Sequence, residues 1–177
     1  MIFQTTAING AFIVDVQKIG DERGFFARVF CRKEFEAQGI DPQIHQANIG
    51  FNKDRGTLRG LHYQVDPHGE AKFVRCTAGS LYDVVLDLRP TSATFKQWLG
   101  VELSAENRRM LYLPAGCAHG YLTLADDTEI FYLVSQYYHS AAERGVRWND
   151  PAFAIDWPID VAVISPKDAH WPDFGSP

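Results

Sequence analysis

From Thr57 to Val134 the chain repeats one kind of unit, a short apolar run closed by a turn signal, and few folds accommodate that. The runs are Thr57 to Val65, Lys72 to Ala78, Ser80 to Asp87, Gln97 to Leu103, Arg109 to Leu113, Gly120 to Ala125 and Thr128 to Val134. Turns such as Ala78-Gly79-Ser80, Asp87-Leu88-Arg89-Pro90, Pro114-Ala115-Gly116 and Ala125-Asp126-Asp127 divide them. Turn signals every 8 to 12 residues or so are what an all-β sandwich or barrel requires. The alternation in Leu81 to Asp87 is imperfect, which suits a strand packed on both faces. Upstream, Ala11 to Val16 and Phe25 to Phe30 read as strands around the turn Gly20 to Gly24, and Ile44 to Phe51 looks extended. Arg32 to Gln38 is a short helix candidate stopped by Gly39. The tail from Trp148 carries Pro151, Pro158, Pro166 and Pro172, so it is expected to wrap the sheets with one short helix rather than extend them. No repeat or linker appears. The expectation is one all-β domain over residues 1–177.

A chain of 177 residues can bury a core without disulfides or metal. At 46% hydrophobic residues it is not a disordered chain, and a net charge of −5 argues against broad attraction to nucleic acid or membrane surfaces. Anionic small molecules stay open, because a local cluster of Arg, Lys and His can oppose the global sign. Cys31, Cys76 and Cys117 are odd in number and widely spaced, without a CxxC or Cys/His zinc pattern, and read as reduced thiols. The start MIFQTTAING has neither the basic end nor the apolar core of a signal peptide, and no apolar run approaches the roughly 20 residues needed to span a bilayer. A cytoplasmic protein is expected.

The richest chemistry lies in Arg59-Gly60-Leu61-His62-Tyr63-Gln64. In a regular strand Gly60, His62 and Gln64 share one face and Arg59 takes the other. A bulge at Gly60 would turn Arg59 and His62 toward one pocket. The plainer alternative is an edge strand with a surface Arg. Lys72 begins a strand, where it is either a solvated edge residue or a stabiliser of developing negative charge. Tyr132 and Tyr138 have even spacing and so share a face in a regular strand, where aromatic core is the ordinary role. Asp168 alone reads as a surface acid, or else as a partner holding a His in one tautomer. Two stretches, Gly56 to Gly79 and the PxGxxH pattern of Pro114 to His119, resemble the cupin-type jelly-roll barrel. Cupin metal sites need His-x-His in the first stretch. Here Gln64 fills the second position, a poor transition-metal ligand, so no metal is expected.

Seven segments in order then resemble one family across essentially the whole chain: DERGFF at Asp21, RGLHYQ at Arg59, AKFVRC at Ala71, PAGCAHGY at Pro114, the Tyr132/Tyr138 pair, RWNDP at Arg147 and SPKD at Ser165. Together they look like the dTDP-4-dehydrorhamnose 3,5-epimerases, which invert two carbons of a nucleotide-linked 4-keto sugar. The resemblance implies His62 as base with Asp168 oriented against it, Lys72 stabilising the oxyanion on C4, and Tyr132 returning a proton on the opposite face. It further implies Arg59 and His119 at the pyrophosphate or sugar hydroxyls and Tyr138 in the sugar or nucleotide pocket. Arg23, Phe26, Arg28, Gln46 and Asn48 fall at nucleotide positions, some supplied across a homodimer. A nucleotide-sugar substrate and no cofactor complete that picture. An imidazole's ordinary pKa near 6.5 suits removal of a carbon-bound proton near neutrality.

Two positions depart from the family pattern. Arg28 stands where a Glu is usual, on the nucleotide-binding edge, and Glu70 stands where a Gln is common. Other readings are an epimerase for a different nucleotide-linked keto sugar, a single-carbon epimerase, or a metal-dependent cupin oxygenase or isomerase.

Overall fold

The computed structural model describes residues 1–175, so the final two residues of the expected domain lie outside the described residues. Two sheets face each other. One has the spatial order β1 (Ile2–Thr5), β2 (Phe12–Asp15), β10 (Met110–Leu113), β7 (Lys72–Ala78), β12 (Thr128–Val134) and β5 (Gln46–Asn52). The other runs β13 (Glu143–Gly145), β6 (Thr57–Gln64), β11 (Cys117–Thr123), β8 (Ser80–Asp87) and β9 (Trp98–Ser104). Pairing within both is antiparallel, apart from β14 (Val163–Ile164), which lies parallel on β6. A separate hairpin joins β3 (Ile19–Asp21) to β4 (Gly24–Phe26), and the helices are α1 (Arg32–Glu36) and α2 (Pro166–Ala169). The architecture is the cupin-type jelly-roll barrel.

Burial explains the uneven hydrophobic patterning. In β8, Leu81 and Val85 point between the sheets with Val74, Leu111 and Ile130, while Val84 and Leu86 point outward. That outer face is covered by Val146, Phe153, Trp157 and Phe174, so the proline-rich tail wraps the second sheet as expected. On the outer face of the first sheet, α1 seats Phe35 against Phe3, Phe30 and Phe73 with ring centroids 4.9 to 5.2 Å apart. Burying one such ring contributes up to about 3 kcal/mol. Gly39 follows α1 with φ +73°, the left-handed conformation expected of a helix stop. Cys76 and Cys117 lie unpaired in the core, where burial pushes their thiols up to about 11 and about 12.

Strands β7, β8 and β12 have the expected bounds, but two differences stand out. Of the expected Phe25 to Phe30 strand only Phe25 and Phe26 form, within Gly24–Phe26, because the partner β3 is three residues long. That hairpin leaves Ile19 and Phe26 about two-thirds exposed, at 69% and 66%. Strand β11 starts at Cys117 rather than Gly120, which places His119 inside a fully buried strand. Among the described residues no helix is long and apolar enough to cross a membrane.

Candidate active site

A cleft of about 430 Å³ opens between the sheets, with β5, β7 and β12 as one wall and β6 and β11 as the other. It shares His62, Lys72 and Tyr132 with an adjoining recess of about 160 Å³.

Strand β6 builds its wall through an irregularity. His62 pairs with His119 of β11, yet Arg59 pairs with Tyr121, so three steps on β6 oppose two on β11. One extra residue resets the alternation, and Arg59 and His62 both line the cleft. The bulge depends on Gly60, whose φ is +130° and where a Cβ would collide with Gly120 Cα and His119 O. The Gly60 N–H donates to Asp168 Oδ2 at 3.3 Å. The other carboxylate oxygen lies 2.6 Å from His62 Nε2.

Asp168 reaches this position through local helix chemistry. Ser165 caps α2 by accepting the Asp168 N–H at 3.0 Å, and Pro166 fits the first turn. The carboxylate is buried, not the surface acid its loop setting suggests. Burial raises its pKa, but the bonds from His62 and Gly60 outweigh that and hold it below the usual range. Stability from this ionisation is therefore present above about pH 3.9, the ordinary carboxylate value, and is lost as pH falls through the lowered folded-state value. Trp171 packs edge-on to His62, ring centroids 6.3 Å apart, and it fits only because Gly145 has no Cβ to strike it.

The facing wall is regular from Ile130 to Val134 of β12. Tyr132 lies opposite Asn48 of β5 and Val74 of β7, while Val134 lies opposite Gln46 and Lys72. These side chains therefore project from one face. Lys72 Nζ lies 3.1 Å from Glu70 Oε1, both side chains being nearly buried, so Glu70 is a partner in the site rather than a solvated acid. Burial, then the Glu70 carboxylate, raises the Tyr132 phenol above its usual pKa, with Arg59 pulling the other way. Tyr138 lies beyond the end of β12 and still faces the recess, its hydroxyl donating to Glu143 Oε2 at 2.9 Å and its N–H to Gln46 Oε1 at 2.9 Å.

Two further polar sets brace the cleft. His119 Nε2 lies 2.7 Å from Oδ1 of fully buried Asp83. Asn52 Oδ1 accepts from Arg59 Nε at 2.8 Å and from Tyr121 OH at 3.3 Å, while its Nδ2 donates to Thr128 O at 3.1 Å. Asn52→Ala strands all three groups. It is expected to cost roughly 1–3 kcal/mol of stability, measured by urea denaturation, and to release the guanidinium.

Arg23, Phe26 and Arg28 do not join this cleft within the chain. Arg23 is exposed and paired with Asp21, while Phe26 and Arg28 line a separate cavity of about 380 Å³. Arg28 meets Glu34 at 3.3 Å, and Glu34 also holds the N-terminal ammonium at 2.5 Å. The ammonium, more than Arg28, keeps the Glu34 carboxyl low, against some burial. The reversed charge at position 28 thus shares the Glu34 carboxylate with the ammonium.

A family model for dTDP-4-dehydrorhamnose 3,5-epimerase matches residues 5–176. A relative of that name from Shigella flexneri is 42% identical over 170 residues, covering 96% of this chain and 93% of its own. The chain belongs to the dTDP-4-dehydrorhamnose 3,5-epimerase family. A crystal structure of a member from Elizabethkingia anophelis superposes with a TM-score of 0.96 at 37% identity, covering 98% of this chain and 96% of that one. A dTDP-6-deoxy-D-glucose-3,5-epimerase from Legionella pneumophila, solved in complex with dTDP-4-keto-L-rhamnose, gives 0.88 at 40% identity over 95% and 89%. The chain is thus a member of a family of nucleotide-sugar epimerases.

Sequence reasoning missed several residues of this epimerase cleft. Glu143 lines the recess and bonds Lys167 Nζ at 2.6 Å as well as Tyr138. Burial raises its carboxyl, but Lys167 and Tyr138 bring it below the usual value. Its strand has three residues, too short for a period to register, although Lys167 stood in plain view within SPKD. Asp83 was missed because its partner His119 is 36 residues away, and Asn52 because its bond to Arg59 crosses between the two sheets.

Proposed function

We propose that this chain inverts C3 and C5 of dTDP-4-dehydro-6-deoxy-D-glucose, giving dTDP-4-dehydro-L-rhamnose for L-rhamnose biosynthesis. One observation carries the reading: His62 projects from one wall of the cleft, Tyr132 and Lys72 from the other. Inversion at a carbon needs a proton removed on one face and returned on the opposite face. The 4-keto group acidifies the protons at both neighbouring carbons, so one base and one acid serve both centres through enolates. His62, held by Asp168, takes the proton onto its ring. Lys72 meets the oxyanion on C4; losing one such donor costs about 100- to 1,000-fold in rate. Tyr132, a phenol and so protonated near neutrality, delivers the new proton. Arg59, fixed by Asn52, and His119, fixed by Asp83, hold the anionic and hydroxyl groups of the substrate. Gln46, Asn48 and Tyr138 complete the pocket. All of these steps use side chains of this chain.

A cytoplasmic homodimer suits the same reading. The β3–β4 hairpin presents exposed Phe25 and Phe26 beside Arg23, and edge strand β5 presents exposed Ile49 and Phe51 at the cleft mouth. Exposed apolar pairs of this kind mark interaction surfaces. A twofold partner would let Arg23, Phe26 and Arg28 reach the neighbouring cleft and read the nucleotide there.

The test offers dTDP-, CDP-, UDP- and GDP-linked 4-keto-6-deoxy sugars in deuterated water, with NMR reporting exchange at each carbon. Deuterium at both C3 and C5 of the dTDP sugar is the expected result. Preference for another nucleotide would trace to Arg28, and exchange at C3 alone would make the chain a single-carbon epimerase.

A further inference from the structure

Gln64 lies two residues beyond the proposed base, and its side chain is almost fully buried at 3% exposure. All three of its strong bonds go to backbone. Nε2 donates to His68 O at 3.0 Å and to Tyr137 O at 3.2 Å, and Oε1 accepts from His139 N at 2.6 Å. One carboxamide thereby joins two loops, the one after β6 and the one after β12. The His68 and His139 rings stack above this join, centroids 4.0 Å apart and planes 10° from parallel. Two of the three bonds flank Tyr138, on the residues before and after it. Tyr138 itself is 60% exposed.

From this we infer that Gln64 is a positioning residue, which holds the Tyr137–His139 segment so that Tyr138 faces the recess beside the cleft. The inference rests on the proposed epimerase reading, in which Tyr138 contacts substrate. A buried amide suits the task because two carbonyls need donors while one N–H needs an acceptor, and a neutral carboxamide, as in Gln or Asn, supplies two donors together with an acceptor. Asn is one methylene shorter. Glu has the same shape and offers only acceptors when ionised, so Gln64→Glu keeps the volume but turns both donor bonds into repulsive contacts. Tyr138 also donates its own N–H to Gln46 Oε1 and its hydroxyl to Glu143 Oε2, so the Tyr137–Tyr138 peptide is held from two sides, and Gln64 adds the hold on the His139 N–H that follows.

The experiment compares wild type, Gln64→Glu, Tyr138→Phe and the double variant in epimerisation of the dTDP-linked 4-keto sugar. A group that positions a binding contact equally in ground and transition states acts on KM. Gln64→Glu is therefore expected to raise KM about 10-fold, the effect of a lost buried hydrogen bond, with kcat within about threefold. The double variant should be no worse than the weaker single variant, because both changes remove one contact. Additive losses, or a fall in kcat at constant KM, would overturn the inference, since either puts Gln64 to work through something other than Tyr138. If Gln64→Glu does not fold, the same comparison is made with Gln64→Met; failure of both to fold assigns the residue to the barrel alone and also overturns it. Wild type that exchanges no deuterium into this substrate would instead sink the epimerase reading.

Discussion

His62→Ala is expected to abolish deuterium incorporation at both C3 and C5 while leaving dTDP affinity within about twofold of wild type. General-base catalysis is worth about 100- to 10,000-fold, and no second group stands ready to replace the imidazole. His119 lines the cleft too, but its Nε2 is held 2.7 Å from Oδ1 of fully buried Asp83. Glu143 is held between Lys167 and Tyr138. Exchange at the two carbons should fall together, since one imidazole serves both. Nucleotide affinity is spared because Arg59 keeps its anchor on Asn52, which does not involve His62. NMR in deuterated water reads the first effect and calorimetry with dTDP the second. Retained exchange at either carbon would remove His62 from the base role.

Much of the barrel was legible in the sequence, and the reason is mechanical. Strands β7, β8 and β12 are bounded by turn residues and buried on at least one face, so hydrophobic runs and turn signals end at the same positions. Pairings closed over long stretches of chain left no such trace. His62 and Asp168 are 106 residues apart, and Arg59 and Tyr132 come from different sheets. The bulge at Gly60 was conditional on sequence grounds. It depends on how closely Gly120 approaches from the neighbouring strand, which no local pattern records. Here the family resemblance named residues that periodicity alone left ambiguous, and the fold supplied the physical reason for them. Asp168 is the clearest example. Its motif is a sound helix start, but only β6 beneath it turns a capped loop acid into a buried partner for an imidazole. Arg28 runs the other way, for the family pattern made it an anomaly. The ion pair to Glu34 gives that charge a partner within the chain.

Tyr132→Phe should separate proton removal from inversion. The substitution keeps the ring, which packs against the inner core, and deletes only the hydroxyl. His62 and Lys72 remain, so the enolate still forms and deuterium still enters from the base side. What is lost is the donor on the opposite wall. Inverted product is expected to fall by about 100- to 1,000-fold, within the range of a missing general acid, while exchange without inversion falls far less. A phenol is protonated near neutrality, and Arg59, which opposes the upward push of burial on its pKa, is placed to meet the phenolate once the proton has gone. Normal yields of inverted sugar from the variant would show that the proton arrives from elsewhere. The two-wall geometry would then need another donor on the face of β7 and β12. Lys72 is the other titratable cleft residue on those strands, and Lys72→Met would be the next variant to measure.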